Sequence, residues 1–97
     1  MNTGLTASHL DLLRSTLAQH PEVERAVIFG SRAKGTFRAG SDIDLALKGS
    51  GVTRRTVAAV SSELEKSSLP FFVDVIAYDQ IDNAELKSHV DRVGLPL

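Results

Sequence analysis

Two short segments, Gly30-Ser31 and Asp42-Ile43-Asp44, have the residue types and spacing to carry chemistry. Gly30 ends an apolar run at a point where the backbone must turn sharply, and the lack of a Cβ there lets a phosphate approach the main chain. The Ser31 hydroxyl can donate to a phosphate oxygen. If Ser31 opens a short helix, the free N–H groups of that helix add to the anion site. The first segment therefore predicts a phosphate-binding turn.

The second segment predicts a metal site. Asp42 and Asp44 are two residues apart on a predicted strand, so their carboxylates project from one face with Cα atoms about 6–7 Å apart. Such carboxylates repel each other unless a cation lies between them. Hard oxygen ligands suit Mg²⁺, which is usually held by one or two carboxylates together with substrate phosphates. In a two-metal site, one ion activates the attacking oxygen and the other stabilises the leaving pyrophosphate.

Asp74 is the candidate third ligand. It lies between Val73 and Val75 in an apolar strand, where a charge is costly unless it is paired or metal-bound. If its strand lies beside the Asp42–Asp44 strand, Asp74 can share the first metal and accept or orient the proton of an attacking hydroxyl. The alternatives for Asp74 are a pair with Arg25 or a solvent-facing position.

The loop between the two segments adds candidate phosphate contacts. Arg32, Lys34 and Arg38 supply positive charge, although any of them could be a solvated surface side chain. Ser41 could hydrogen-bond a carboxylate or the loop backbone. The remaining candidates are predicted to have surface or packing roles, because they show no metal-ligand spacing: His9, His20, His89 and Tyr78.

Hydrophobic periodicity predicts the elements that must position these residues. Ile43, Leu45 and Leu47 share one face of a strand, opposite the two aspartates, so a core can form without burying them. The predicted fold is α+β (α/β), with a small mixed β-sheet and helices packed mainly on one face. Its elements are a helix at 6–19, a strand at 22–29, a loop at 30–40, a strand at 41–47, a helix at 53–66, a strand at 71–77 and a helix at 82–93.

Composition limits the class of protein. The chain has 97 residues, 42% hydrophobic and 24% charged, which predicts one domain over residues 1–97. Its 11 Lys and Arg against 12 Asp and Glu provide no cationic field for nucleic acid, so that partner is not expected. There is no cysteine, and neither a signal peptide nor a membrane-spanning run is recognisable. We expect a cytoplasmic protein with no membrane contact.

The residues from Gly30-Ser31 through ten residues to Asp42-Ile43-Asp44, with Asp74 on a later strand, resemble the signature of the DNA polymerase beta-like nucleotidyltransferases. The match has no gap and extends over nearly the whole chain. The short length is similar to the minimal nucleotidyltransferase (MNT) group, in which this domain stands alone.

The resemblance implies an activity and a partner. Members of the superfamily hold two Mg²⁺ ions on three aspartates, here Asp42, Asp44 and Asp74, and transfer a nucleoside monophosphate from an NTP such as ATP onto a hydroxyl. Minimal members usually pair with a helical HEPN toxin and act as its antitoxin, in some cases by adding AMP to a toxin tyrosine. The resemblance therefore implies a protein adenylyltransferase in a hetero-oligomer.

Two other functions compete with this one. The chain could be an antitoxin that neutralises its partner by binding alone. It could also modify a small molecule, which is disfavoured because transferases of that kind carry an added acceptor domain.

Overall fold

The chain folds into a four-stranded sheet with helices on both faces. The computed structural model describes residues 2–97. In chain order the elements are α1 (Ala7–Ala18), β1 (Arg25–Phe29), α2 (Gly30–Lys34), β2 (Ile43–Lys48), α3 (Arg54–Glu65), β3 (Val73–Ala77), a 3₁₀ turn (Tyr78–Gln80), α4 (Ala84–Val93) and β4 (Leu95–Pro96). None of the helices within residues 2–97 is long and apolar enough to cross a membrane.

Short polar side chains begin the three longer helices. Thr6 accepts the His9 amide at 3.1 Å, Thr53 accepts the Thr56 amide at 3.3 Å, and Asn83 accepts the Leu86 amide at 3.0 Å. Each bond satisfies an N–H group that has no partner inside the helix. Thr6, Thr53 and Asn83 therefore mark where α1, α3 and α4 begin.

The sheet is mixed, with strand order β3-β2-β1-β4. β1 pairs antiparallel with β2 and with β4, whereas β2 and β3 run parallel. The parallel pair needs a crossover, which α3 provides by packing on β3. The predicted α+β class with a small mixed sheet is therefore confirmed.

Each face of the sheet has its own apolar cluster. The larger cluster joins α1 and α3 to the sheet and includes Leu13, Val60 and the predicted row Ile43, Leu45 and Leu47. A smaller cluster on the opposite face packs α4 on the sheet. It consists of Val27, Phe29, Ala46 and Val90. Most of the helical packing is thus on one face, and α4 packs on the other face, mainly against β1.

Two elements differ from the sequence expectation. The predicted loop after β1 begins with a five-residue helix, α2, which ends at Gly35 in the left-handed conformation (φ 80°). The C-terminal residues form β4, where the Leu97 amide donates to the Ala26 carbonyl at 3.0 Å. Two residues are too few to show a hydrophobic period, so the sequence carries no signal for this strand. It forms because β1 has a free edge that can pair with it.

Candidate functional site

The three predicted carboxylates lie at the same end of two neighbouring strands. Asp44 on β2 stands beside Asp74 on β3 in the parallel register, and Asp42 immediately precedes β2. Asp44 is half-buried, whereas Asp42 and Asp74 are exposed. Asp44 has the parity of Ala46, so it points toward the α4 side of the sheet and away from the larger core. The structure therefore brings together the aspartates that the sequence selected.

Asp44 is the electrostatic centre of this group. Its burial raises the pKa of the carboxyl above the usual value of 3.8, and the nearby charges of Asp74 and Asp42 raise it further. Proximity to His89 acts in the opposite direction. Desolvation and like charges both disfavour the ionised form. A bound cation would remove this penalty, so the group is chemically suited to a divalent metal.

The donor set fits a hard cation such as Mg²⁺, because it offers only carboxylate oxygens on an open face. Within residues 2–97, no three acidic or histidine side chains already stand at the separation of a formed metal site. Asp42, Asp44 and Asp74 would be the ligands of such a cation.

Gly30 connects β1 to α2 and lies against Asp44. Its φ is 74°, a left-handed conformation that favours glycine. A Cβ at this position would collide with the Asp44 carboxylate. The missing side chain thus makes room for a carboxylate of the site itself, a role that the sequence did not reveal. Ser31 is the second residue of α2 and remains half-exposed.

Arg32 does not have the position predicted for a phosphate contact. Its side chain is only 2% exposed and donates to the Thr3 carbonyl at 2.8 Å and to the Ser41 carbonyl at 2.7 and 3.1 Å. The guanidinium carbon lies 4.4 Å from the ring centre of Phe71 and 5.3 Å from that of Phe37. Arg32 therefore holds the loop to the N-terminal segment, and its guanidinium contacts the faces of both aromatic rings.

Ser41 also serves the loop. Its carbonyl accepts from Arg32, and its hydroxyl accepts the Arg38 amide at 2.8 Å. Of the two roles considered for Ser41, the structure shows the backbone contact. α2 carries two of the predicted cations, Arg32 and Lys34. Of these, only Lys34 has a solvent-exposed side chain.

His89 is the residue of the site that sequence reasoning missed. It lies on α4, and its Nε2 accepts the Gly30 amide at 3.2 Å. No sequence signal indicated this contact, because 59 residues separate the two partners. His20 instead contacts Glu63 at 2.9 Å, and His9 packs edge-on against Phe71, so both have structural roles. Tyr78 donates to Asp91 and lies beneath Lys48 and Lys87.

Known proteins share both this fold and this sequence pattern. The family profile described as "Polymerase beta, Nucleotidyltransferase" matches residues 12–97. No curated protein sequence matches the chain. One similar solved structure is a candidate minimal nucleotidyltransferase, at 25% identity and TM-score 0.71, over 100% of this chain and 97% of the other.

Two further similar structures are complexes, and their likeness concerns the fold. A toxin–antitoxin complex with AMP-PNP is 24% identical with TM-score 0.71, over 95% of this chain and 72% of the other. The tri-AMPylated Shewanella oneidensis HEPN toxin with its MNT antitoxin gives 21% identity and TM-score 0.62, over 92% and 65%. Because the family profile covers most of the sequence and the carboxylates occupy one strand end, this chain belongs to the polymerase beta nucleotidyltransferase family.

Proposed function

We propose that this protein transfers AMP from ATP to a hydroxyl of a partner protein, and that the partner is a HEPN-type toxin for which it is the antitoxin. The observation that carries the proposal is the position of Asp44 between Asp42 and Asp74, beside the Gly30-Ser31 turn. The phosphate chain of an NTP needs a hydrogen-bond donor beside the turn, which the Ser31 hydroxyl offers, and the transferred phosphorus needs adjacent carboxylates that recruit a cation. The Gly30-Ser31 turn and the three carboxylates lie together at one end of strands β1, β2 and β3.

In this proposal each residue has a task. The Ser31 hydroxyl and Lys34 bind the outer phosphates, while Asp42 and Asp44 lie beside the α-phosphorus. The acceptor oxygen attacks that phosphorus, the bond to the bridging oxygen breaks, and pyrophosphate leaves. Asp74 orients the acceptor hydroxyl and receives its proton. Two Mg²⁺ ions held by the three aspartates would neutralise phosphate charge and acidify the hydroxyl.

The acceptor would approach from the β3 side of the site. Gly30, α2 and α4 occupy the β1 side, whereas β3 is the edge strand of the sheet. Phe72, two residues before Asp74, is 64% exposed, which is unusual for so large an apolar side chain. Its carbonyl accepts the Ile43 amide at 2.9 Å, so Phe72 is fixed next to the carboxylates. An exposed ring in this position suits a protein that presents a hydroxyl to Asp74.

The similar structures support the choice of partner and donor. One is a toxin–antitoxin complex with AMP-PNP, and another contains an AMPylated HEPN toxin with an MNT antitoxin. A hetero-oligomer of this chain with a helical toxin is the corresponding assembly.

The test is a labelling reaction with purified protein. The chain, a HEPN-type partner, Mg²⁺ and ATP labelled at the α-phosphate should give a partner that carries the label. Asp42→Asn and Asp44→Asn should abolish labelling, while Asp79→Asn, a change at an exposed aspartate outside the site, should leave it intact. Absence of label with every NTP would contradict the enzymatic proposal.

A toxicity assay separates catalysis from binding. If neutralisation needs AMP transfer, Asp44→Asn will fail to protect cells from the toxin. If the doubly substituted Asp42→Asn/Asp44→Asn chain protects as well as the original, the protein is an antitoxin that acts by binding alone.

A further inference from the structure

His89 joins α4 to the turn that borders the carboxylates. Its Nε2 accepts the Gly30 amide at 3.2 Å, and the edge of its ring packs on Phe29, with ring centres 6.1 Å apart at an interplanar angle of 79°. Both partners are adjacent residues at the end of β1. The imidazole is half-buried and held from two directions, so it has one orientation relative to the turn.

Gly30 transmits this orientation to Asp44. Phe29 pairs with Asp44 across the antiparallel ladder, and the Asp44 carboxylate lies against the Gly30 Cα, where a Cβ would collide with it. The amide of Gly30 thus faces His89 while its Cα borders Asp44. A rotation of the Phe29–Gly30 peptide would break the His89 hydrogen bond and change the space that the carboxylate occupies.

We propose that His89 is a positioning residue of the nucleotide site, which holds the Gly30 turn in the conformation that aligns Asp44 and Ser31. The inference rests on the proposed function and adds to it a residue outside the Gly-Ser and Asp motifs. It also assigns a task to α4, which packs on both α2 and β1. Replacement of a group that orients the ligands of a metal site commonly lowers affinity or activity by about 10–100-fold.

The hydrogen bond defines which substitutions can replace histidine. Since Nε2 accepts a proton from the amide, the ring proton resides on Nδ1. Glutamine places its side-chain oxygen close to the position of Nε2 and can accept the same bond. The side-chain oxygen of asparagine reaches only the position of Nδ1, too short for this bond. Phenylalanine keeps the ring contact with Phe29 but has no hydrogen-bond acceptor.

The experiment compares His89→Gln with His89→Asn and His89→Phe, with Glu85→Gln on the exposed part of α4 as the matched control. Calorimetric titration with AMP-PNP and Mg²⁺ measures the Kd without an acceptor or catalysis. Amide hydrogen exchange of Gly30 reports the bond itself, and thermal unfolding reports global stability.

We expect His89→Asn and His89→Phe to weaken AMP-PNP–Mg²⁺ binding by about tenfold or more. They should also lose exchange protection at Gly30, with Tm close to that of the original chain. His89→Gln should restore both binding and protection. The inference is overturned if His89→Phe binds as tightly as the original chain, or if the affinity of His89→Gln is reduced as much as that of His89→Phe.

The same titration separates this inference from the proposed function. If the original chain binds AMP-PNP with Mg²⁺ and the His89 variants bind equally well, the inference alone is overturned. If the original chain binds no nucleotide with Mg²⁺, the proposed function fails and the inference fails with it.

Discussion

At the scale of single residues, this protein places charge where it is costly for folding and useful for binding. Asp44 is half-buried beside two further carboxylates, and both burial and repulsion raise its pKa. Arg32 shows the opposite case, because its charge is buried with three hydrogen bonds and two aromatic rings around it. The first arrangement destabilises the metal-free protein, whereas in the second the hydrogen bonds and ring contacts offset the cost of burying the charge.

Replacing Asp44 by asparagine should therefore stabilise the metal-free protein while removing its ligand. The amide keeps the size of the side chain but carries no charge to be desolvated or repelled. We expect the Tm of Asp44→Asn to be higher than that of the original chain by a few degrees, and the rise of Tm on adding Mg²⁺ and ATP to disappear. A lower Tm in metal-free buffer would contradict this account of Asp44.

The advantage of Asp44→Asn should depend on pH. The folded-state pKa of Asp44 lies above its value of 3.8 in the unfolded chain, so the ionised group destabilises the fold at neutral pH. This penalty is relieved as the pH falls from the raised pKa toward 3.8. Urea titrations of both proteins should thus show their difference in unfolding free energy shrinking as the pH is lowered through this window. A difference that stays constant with pH would exclude Asp44 as its source.

Arg32→Lys tests whether the arginine is structural. Lysine keeps the charge but lacks the planar group that donates to two carbonyls while contacting the rings of Phe37 and Phe71. We expect a loss of roughly 2 kcal/mol in the free energy of unfolding, measured with urea. Arg38→Lys, at an exposed arginine of the same loop, should change stability little. Equal effects of the two substitutions would show that the buried contacts of Arg32 do not stabilise the loop.

At the scale of elements, the site depends on how β1 ends. β1 passes directly into α2 at Gly30, which packs against β2 through Asp44 and against α4 through His89. A turn that contacts two neighbours in this way tolerates little change. Gly35, at the other end of α2, has a similar φ of 80° but open space around it.

This pair of glycines offers a controlled comparison. Gly35→Ala should cost about 1–2 kcal/mol, the price of a left-handed conformation for a residue with a Cβ. Gly30→Ala has the same backbone cost plus the collision with Asp44, so we expect at least ~1 kcal/mol more and a loss of nucleotide binding. Urea unfolding and AMP-PNP titration measure the two effects. If both variants unfold at the same urea concentration, the Asp44 contact does not require glycine.

At the scale of the whole molecule, the two edges of the sheet differ. The β1 edge is closed by β4, while β3 forms the opposite edge and carries Asp74. A groove of about 510 Å³ lies along this side, between α3 and the start of α4, and includes Ile76 and Leu86. Phe72 and Leu86 are the exposed large apolar residues in the described part of the chain. The open side of the site therefore coincides with the more apolar surface.

Phe72→Ser tests whether a partner uses this side. Removal of the ring should lower AMP transfer to the partner by about tenfold or more, as loss of a central interface aromatic commonly does. Binding of AMP-PNP with Mg²⁺ should be unchanged, because the nucleotide is expected on the Gly30 side. Phe72→Tyr, which keeps the ring, should retain transfer. Unchanged labelling by Phe72→Ser would place the partner on another surface.

The sequence by itself determined which carboxylates form the candidate site and which elements carry them. Strand alternation separated Asp42 and Asp44 from the core-facing residues, and a charge within an apolar strand singled out Asp74. These features are local, since side-chain direction in a strand follows from the backbone period of two residues. Hydrophobic periodicity is local as well, and the three longer helices and strands β1, β2 and β3 were predicted within a few residues of their observed bounds.

Only the tertiary structure decided the roles that depend on distant partners. Arg32 looked like a phosphate contact, yet Thr3 and Ser41 fix it in the interior. His89 had no recognisable spacing, yet it contacts Gly30 across 59 residues. β4 exists because β1 offers a free edge. Such contacts depend on packing between elements far apart in the chain, and no local period in the sequence encodes that packing.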